Sequence, residues 1–317
     1  DQLTMKKVMT VLAVAGLVLA MALSTTSAMA DTIWTGEGDD VNWSDTLNWS
    51  ADPTTAGGTF TLPTGTESTV DTDTTAWTDY TVVWADDTVT LNVIAGGVLE
   101  NNGRHRPNGG TLRQTGGEVN FGNGVKGVGG LTEISGGSHR NARWTYVSSG
   151  TLHIIGSQPT SVSIGTFPSW SSTAQLTARF TLDANGVTPM LLGREGDFHG
   201  HAPTSGFITV DVDGIATYLA GAGNVGDILP LVARSGGLKY PAAWTMGLVD
   251  CGLGSVGLDV DGNLQLTILG VPELAITEIQ YAPDADTVTL TWASRPCTSY
   301  KAFATLDLSD WSHELAN

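Results

Sequence analysis

Apolar and polar residues alternate in short runs along most of the chain, which is the pattern of β-strands that bury one face. Glycine pairs separate several of these runs and recur every 20 residues, at Gly96-Gly97, Gly116-Gly117 and Gly136-Gly137. A second series, Gly109-Gly110 and Gly129-Gly130, keeps the same period. Two turn markers in one frame predict a repeat whose units stack on one another as parallel strands.

This repeat predicts a short parallel β-solenoid. Ile94, Ile134 and Ile154 fall in one apolar column, in which Gln114 is the polar exception. We expect Ile134 and Ile154 to lie in adjacent parallel strands, ~4.8 Å apart. A coil of 20 residues is closer to a right-handed β-helix than to a left-handed hexapeptide helix, so the right-handed form is expected. An antiparallel meander with glycine turns is the alternative.

The pattern divides the chain into four segments. Residues 5–30 predict a signal peptide, and residues 31–173 predict the β-solenoid with a tryptophan-rich cap. In residues 174–270 the glycine period stops, and alternating strands predict a β-sandwich or jelly-roll-like domain. Residues 271–317 predict a partial β module. The expected fold class is therefore all-β.

The N-terminal segment is typical of export. Met5-Lys6-Lys7 precedes an apolar stretch, and Ala28-Met29-Ala30 forms a cleavage site of small residues. We expect a mature chain that begins at Asp31 and functions outside a bacterial cell or on its outer surface. No later segment is apolar over 18 residues, so no stable membrane span is expected after cleavage.

Charge is unevenly distributed along this acidic chain. The 317 residues carry a formal net charge of −18. Residues 31–100 contain 13 acidic residues and no Lys or Arg, whereas residues 101–170 contain six basic residues and two acidic ones. So negative a net charge disfavours nucleic acid as a partner, because phosphate binding needs a broad positive surface.

The basic residues of the repeat predict a ligand-binding side. Arg106 and Lys126 occupy the same position in the 20-residue frame, and Arg104 and Arg143 lie close to it, with Trp144 beside them. Like charges on neighbouring coils repel, so we expect them to bind an anionic polymer such as an acidic polysaccharide or another cell-envelope component. The alternative is that these cations pair with the acidic segments of the same chain.

The N-terminal tryptophans carry a resemblance to a known group of proteins. The pattern W-x-G-x-G-x3-N-W-S-D-x2-N-W, from Trp34 to Trp49, resembles the start of exported bacterial β-solenoid proteins with autotransporter-associated β-strand repeats or PEP-CTERM sorting signals. The resemblance implies that this segment closes the end of a pectin-lyase-like β-helix, and the group shares no common activity. Sugar stacking on the tryptophans is the alternative.

The C-terminal segment resembles a fibronectin-type-III-like module, through V-T-L-T-W-x-S-R-P at Val288 to Pro296. The segment is too short to complete such a sandwich, so a partial module is expected.

Catalytic and metal motifs are weak. Glu100, Glu118 and Glu133 do not share a position in the repeat, so they do not predict the carboxylate pair of a glycoside hydrolase. His199 and His201 begin a metal motif that lacks its next ligand. Two D-V-D-G segments could contribute to calcium binding, but Asp-Gly also favours simple turns.

We therefore expect no cofactor, no metal and no enzymatic activity, and predict a structural or adhesive surface protein. A carbohydrate-active enzyme and a carbohydrate-binding module are the alternatives.

Overall fold

The structure is a computed structural model, and it describes only part of the chain. The described residues are 31–54, 58–75, 80–101, 105–106, 108–122, 125–127, 129–142, 144–146, 149–167, 176–195, 207–270, 276–282, 287–292, 303–304 and 313–314. The predicted signal peptide, His199 and His201 lie outside them.

Strands dominate the described residues, which confirms the prediction of an all-β fold. The strands are β1 (Thr32–Ile33), β2 (Gly58–Leu62), β3 (Glu67–Val70), β4 (Tyr80–Trp84), β5 (Thr90–Val93), β6 (Val98–Asn101), β7 (His105–Arg106), β8 (Thr111–Phe121), β9 (Val125–Gly127), β10 (Leu131–Asn141), β11 (Trp144–Tyr146), β12 (Gly150–Ile155), β13 (Pro159–Phe167), β14 (Leu176–Thr181), β15 (Met190–Glu195), β16 (Ile208–Asp213), β17 (Ile228–Arg234), β18 (Trp244–Val249), β19 (Gly254–Leu258), β20 (Leu264–Ile268), β21 (Ile276–Ala282), β22 (Thr287–Trp292), β23 (Phe303–Ala304) and β24 (His313–Glu314). The α-helix α1 spans Ile215–Ala220, and 3₁₀ turns span Thr46–Asn48, Pro241–Ala243 and Asp250–Gly252.

Parallel pairing connects most of these strands. A six-stranded sheet has the order β1-β2-β4-β7-β9-β11, and all of its pairs are parallel. A 14-stranded sheet contains two further series of parallel strands. Row one is β3-β5-β8-β10-β12-β14-β16-β18, and row two is β6-β8-β10-β13-β15-β17. The long strands β8 and β10 belong to both rows, because each contributes its first half to row one and its second half to row two.

The pairing register follows the 20-residue period where the glycines mark it. Leu131 on β10 pairs with Thr111 and with Thr151, which precede and follow it by 20 residues. Ile134 pairs with Ile154 in the adjacent parallel strand, as predicted. The assignment of Ile94 to the same column is wrong, because Val93 pairs with Gln114 and the Ile94 side chain is 38% exposed.

Parallel pairing extends beyond residue 173, the point at which the sequence pattern ended the repeat. Thr151 pairs with Thr177, and Leu176 pairs with Ile208, which pairs with Trp244. The sequence separation between paired residues grows from 20 to 26, 32 and 36, because the connections between strands lengthen. The strands nevertheless remain parallel. Antiparallel pairing in the 14-stranded sheet occurs only where β17, β20 and β19 meet. The hairpins β21–β22 and β23–β24 form two small separate sheets.

Glycines allow the backbones of successive repeats to touch at the bend between row one and row two. A Cβ atom on Gly136 would lie 2.3 Å from the carbonyl oxygen of Thr115, and one on Gly137 would lie 2.2 Å from that of Gly117. Gly117 and Gly137 also have φ angles of 61° and 74°, which side-chain-bearing residues rarely adopt. The repeated glycine pairs are therefore required by contact as well as by conformation.

The core is mostly apolar, and two of its buried polar residues form a hydrogen-bonded pair. Gln114 and His139 are both fully buried, and His139 Nδ1 donates a hydrogen bond of 2.9 Å to Gln114 Oε1. Gln114 Nε2 donates to the carbonyl oxygen of Ser138 at 3.0 Å. The polar exception in the apolar column is thus satisfied by side chains and backbone of the next strand.

His105 has no such partner. Its ring is 1% exposed and lies between Phe121, at a centroid distance of 4.5 Å, and Trp84, at 5.0 Å. Neither ring nitrogen has a hydrogen-bond partner, and the Trp84 indole nitrogen is also buried without one. Burial lowers the pKa of His105 to about 3, with a smaller contribution from the charge of His139, and burial lowers the pKa of His139 to about 4. Both imidazoles are therefore neutral in the folded protein near pH 7.

We predict that His105→Phe raises the free energy of unfolding at pH 7.5 by about 1 kcal/mol, because it removes a buried donor and acceptor that lack partners. The unfolded imidazole titrates near 6.5, so stability is lost as pH falls from about 6.5 towards the folded pKa, by about 1.4 kcal/mol per pH unit for each buried histidine. The His105→Phe variant should keep only the acid-induced loss of stability that comes from His139. Urea unfolding at pH 7.5, 5.5 and 4.5 measures both effects.

The matched control is His139→Phe, which leaves the Gln114 amide oxygen buried without its donor and should destabilise the fold at pH 7.5. If His105→Phe lowered stability at pH 7.5 as much as His139→Phe does, the environment assigned to His105 would be wrong.

Candidate functional site

The structure places three of the five predicted site residues on neighbouring strands of the six-stranded sheet. Arg106 is on β7, Lys126 on β9 and Trp144 on β11, whereas Arg104 and Arg143 lie outside the described residues. His105 pairs with Val125, so the residues that follow them in these parallel strands, Arg106 and Lys126, occupy equivalent register positions. The shared position predicted from the repeat is therefore present in the backbone.

The surroundings of Arg106 differ from those expected for an internally paired cation. Its side chain is exposed, and no carboxylate of the described residues forms an ion pair with it. Trp144 pairs with Val125, and so occupies the register position of His105 rather than that of Arg106. The backbone therefore aligns the two cations with each other, and it places the tryptophan one position away.

A second set of charged residues lies on row one and was missed by the sequence analysis. Arg113, Glu133, His153, Arg179 and Asp211 are successive partners in five neighbouring strands. The first three are separated by 20 residues each, so the signal was present in the repeat frame. A search for paired carboxylates does not find this column, because it mixes acidic and basic residues.

Contacts within this charged column satisfy most of its members. Glu133 Oε2 lies 3.2 Å from Arg113 Nε, and Glu133 Oε1 lies 3.6 Å from His153 Nδ1. His153 Nε2 and the Thr181 hydroxyl form a hydrogen bond of 2.9 Å. Arg179 pairs with Asp213 at 3.2 Å. Both oxygens of Glu133 are engaged, so the column resembles a structural ladder of cross-strand pairs more than a reactive carboxylate.

Several groups act in opposite directions on the pKa of His153, and their net effect lowers it. Partial burial is the largest, and the positive charge of Arg179 adds to it, while the negative charge of Glu133 opposes both. The net direction is set first by burial and then by charges on the neighbouring strands.

The N-terminal tryptophans form a buried cap. Trp34, Trp43 and Trp49 are 4%, 0% and 5% exposed, and Trp49 contacts both of the others edge to face at centroid distances of 5.0 and 5.1 Å. Trp43 Nε1 donates to the Ser68 hydroxyl. Their ring faces are covered, so sugar stacking on these tryptophans is excluded.

Polar residues of the same motif build the loop that holds the cap. The Asp39 carboxylate accepts hydrogen bonds from the backbone N–H groups of Val41 and Asn42 and from the Asn48 side chain. These bonds, with that of Asn42 foremost, hold the pKa of Asp39 well below its usual range. Asn48 Oδ1 accepts from the N–H groups of Gly38 and Asp40. The motif W-x-G-x-G-x3-N-W-S-D-x2-N-W thus describes one internally bonded loop.

The D-V-D-G segments use their carboxylates within the fold. Asp211 Oδ1 accepts from the N–H of Leu248, and Asp213 pairs with Arg179. Asp259 Oδ1 accepts from the N–H groups of Asp261 and Asn263 in the turn between β19 and β20. Within the part of the chain that the structure describes, no group of three or more His, Cys, Asp or Glu residues is arranged to hold a metal ion.

No helix among the described residues is both long and apolar enough to cross a membrane. Comparison of the chain with protein-family models, with curated proteins and with solved structures finds no match.

We predict that Glu133→Gln lowers the pKa of His153 further, because the variant removes the nearest negative charge that favours the imidazolium. Arg179→Gln should raise the same pKa, because it removes a repelling positive charge. NMR titration of the His153 ring resonances measures both shifts. Equal shifts of the same sign in the two variants would contradict the stacked order of these charges.

Proposed function

We propose that the chain is an exported, non-catalytic component of a bacterial surface or matrix, built on a short right-handed β-solenoid, and that it binds an anionic polysaccharide. The proposed binding residues are Arg104, Arg106, Lys126, Arg143 and Trp144. In this proposal the parallel strands of the six-stranded sheet, row one and row two form the three sides of successive coils. Segment 174–270, for which the sequence predicted a β-sandwich, continues the proposed coils through β14, β16 and β18 in row one and through β15 and β17 in row two. The fibronectin-type-III-like segment 271–317 follows it.

The observation that carries the proposal is the alignment of two cations on an otherwise acidic chain. Arg106 and Lys126 follow the paired residues His105 and Val125 on adjacent strands. Adjacent parallel strands lie ~4.8 Å apart, so the two residues are close neighbours. Arg106 is exposed and has no carboxylate partner among the described residues, which favours an external anion over an internal ion pair.

The position and contacts of Glu133 support a non-catalytic role for this carboxylate. Glu133 belongs to row one, whereas Glu100 and Glu118 belong to row two, so Glu133 does not share a row with either of the other two. Glu133 is also held between Arg113 and His153. A carbohydrate-active enzyme remains the alternative that product assays on any bound polysaccharide would detect.

We predict that the wild-type chain is retained at low salt on columns of immobilised alginate or polygalacturonate, and that salt elutes it. The double variant Arg106→Gln, Lys126→Gln should lose most of this retention, and adding Arg104→Gln and Arg143→Gln should abolish it. Chromatography over a gradient of NaCl measures the effect.

The matched control is the double variant Arg113→Gln, Arg179→Gln, which removes the same formal charge from the ladder on row one and should retain wild-type binding. The proposal fails if the wild type is not retained at low salt, or if the two double variants lose retention equally.

A further inference from the structure

An open cleft lies beside the tryptophan cap, at the end of the fold opposite to the antiparallel strands. Its volume is about 630 Å³, within the ~300–1,000 Å³ of typical small-molecule sites. Three parts of the chain that are distant in sequence form its walls: the loop after Trp34, the turn around Thr66, and the adjacent row-one strands that carry Glu67 and Asn92. The cleft is remote in sequence from Arg106 and Lys126.

Two buried side chains offer unused hydrogen-bonding groups to this cleft. Trp34 is 4% exposed and Thr66 is 9% exposed, and both line the cleft. Neither the Trp34 indole N–H nor the Thr66 hydroxyl has a hydrogen-bond partner among the described residues. Neither atom is among the fully enclosed unpaired atoms of the core, so both are reached from solvent. Both residues line the cleft.

Carboxylates provide the acceptors. Asp40 has a φ angle of 57°, which is unusual for a residue with a side chain, and a hydrogen bond of 3.0 Å from its N–H to Asn48 Oδ1 holds it there. Its carboxylate accepts no hydrogen bond from the described residues. Glu67 Oε1 accepts one from Asn92 Nδ2 at 3.2 Å, which orients the carboxylate.

The charge of this region limits the ligand. Residues 31–100 contain 13 acidic residues and no Lys or Arg, so an anionic ligand would be repelled. A simple cation would satisfy the carboxylates but would leave the Trp34 indole N–H and the Thr66 hydroxyl without an acceptor. Sugar hydroxyl groups donate to carboxylates and accept from N–H and O–H groups at the same time. The half-exposed Val41 and Pro63 add apolar surface for the C–H face of a sugar ring.

We propose that this cleft binds a neutral oligosaccharide, with the Asp40 and Glu67 carboxylates accepting from sugar hydroxyl groups and the Trp34 and Thr66 side chains donating to sugar oxygens. This site is separate from the cations of the six-stranded sheet. It selects neutral glycans, whereas the cations select anionic ones. A chain with both sites would link an acidic polysaccharide to a neutral one.

The test is isothermal titration of the 31–317 chain with neutral cello-, xylo-, manno- and galacto-oligosaccharides of three to six sugars. At least one series is expected to bind. Glu67→Gln and Thr66→Val should each weaken that binding about tenfold, as expected for the loss of one buried or charge-assisted hydrogen bond. Asp40→Asn should act similarly, and it preserves the local backbone because Asn tolerates positive φ.

Glu118→Gln is the control, because this exposed acid is on row two, away from the cleft, and should bind like the wild type. Thermal unfolding of each variant separates loss of binding from loss of folding. Retention on the anionic columns should persist in the cleft variants, whereas Arg106→Gln, Lys126→Gln should retain neutral-sugar binding, so the two proposals fail independently. Absence of binding to every neutral series, or unchanged affinity in folded Glu67→Gln and Thr66→Val, would overturn the proposal.

Discussion

The close approach of backbones at the glycine bends is the constraint on which the repetitive part of the structure depends. β8 and β10 pass from row one to row two at Gly116-Gly117 and Gly136-Gly137, where a Cβ atom would collide with backbone of the preceding repeat. With that contact allowed, each repeat stacks in register on the one before, and equivalent residues form columns. The apolar core, the Gln114–His139 pair and the charged ladder all follow from this registration.

Stacking turns single residues into interacting sets, and that is how the fold produces candidate sites. Arg113, Glu133 and His153 form a paired ladder because their positions repeat every 20 residues. Arg106 and Lys126 are aligned by the same rule on another sheet, but there both residues are cationic. The ladder of Arg113, Glu133 and His153 contains its own ion pairs. In the function that we propose, Arg106 and Lys126 attract an external anion instead.

The sequence predicted the all-β class and the pairing of Ile134 with Ile154, because glycines and apolar residues mark the same positions in successive repeats. It did not predict parallel pairing beyond residue 173, since that pairing depends on strand register and tolerates longer connections without glycine markers. Ile94 was misplaced because the step from β5 to β8 is one residue longer than the period. The cleft at the cap could not be predicted from spacing, since stacking brings its three walls together.

The most direct test of the glycine constraint compares three Gly→Ala variants by equilibrium unfolding in urea. Gly136→Ala meets the Thr115 carbonyl, Gly96→Ala meets no atom within 4 Å but has a φ angle of 90°, and Gly257→Ala meets neither obstacle. The account predicts losses of about 2–3 kcal/mol for Gly136→Ala and about 1 kcal/mol for Gly96→Ala, and almost none for Gly257→Ala. Equal stability of Gly136→Ala and Gly257→Ala would contradict the account.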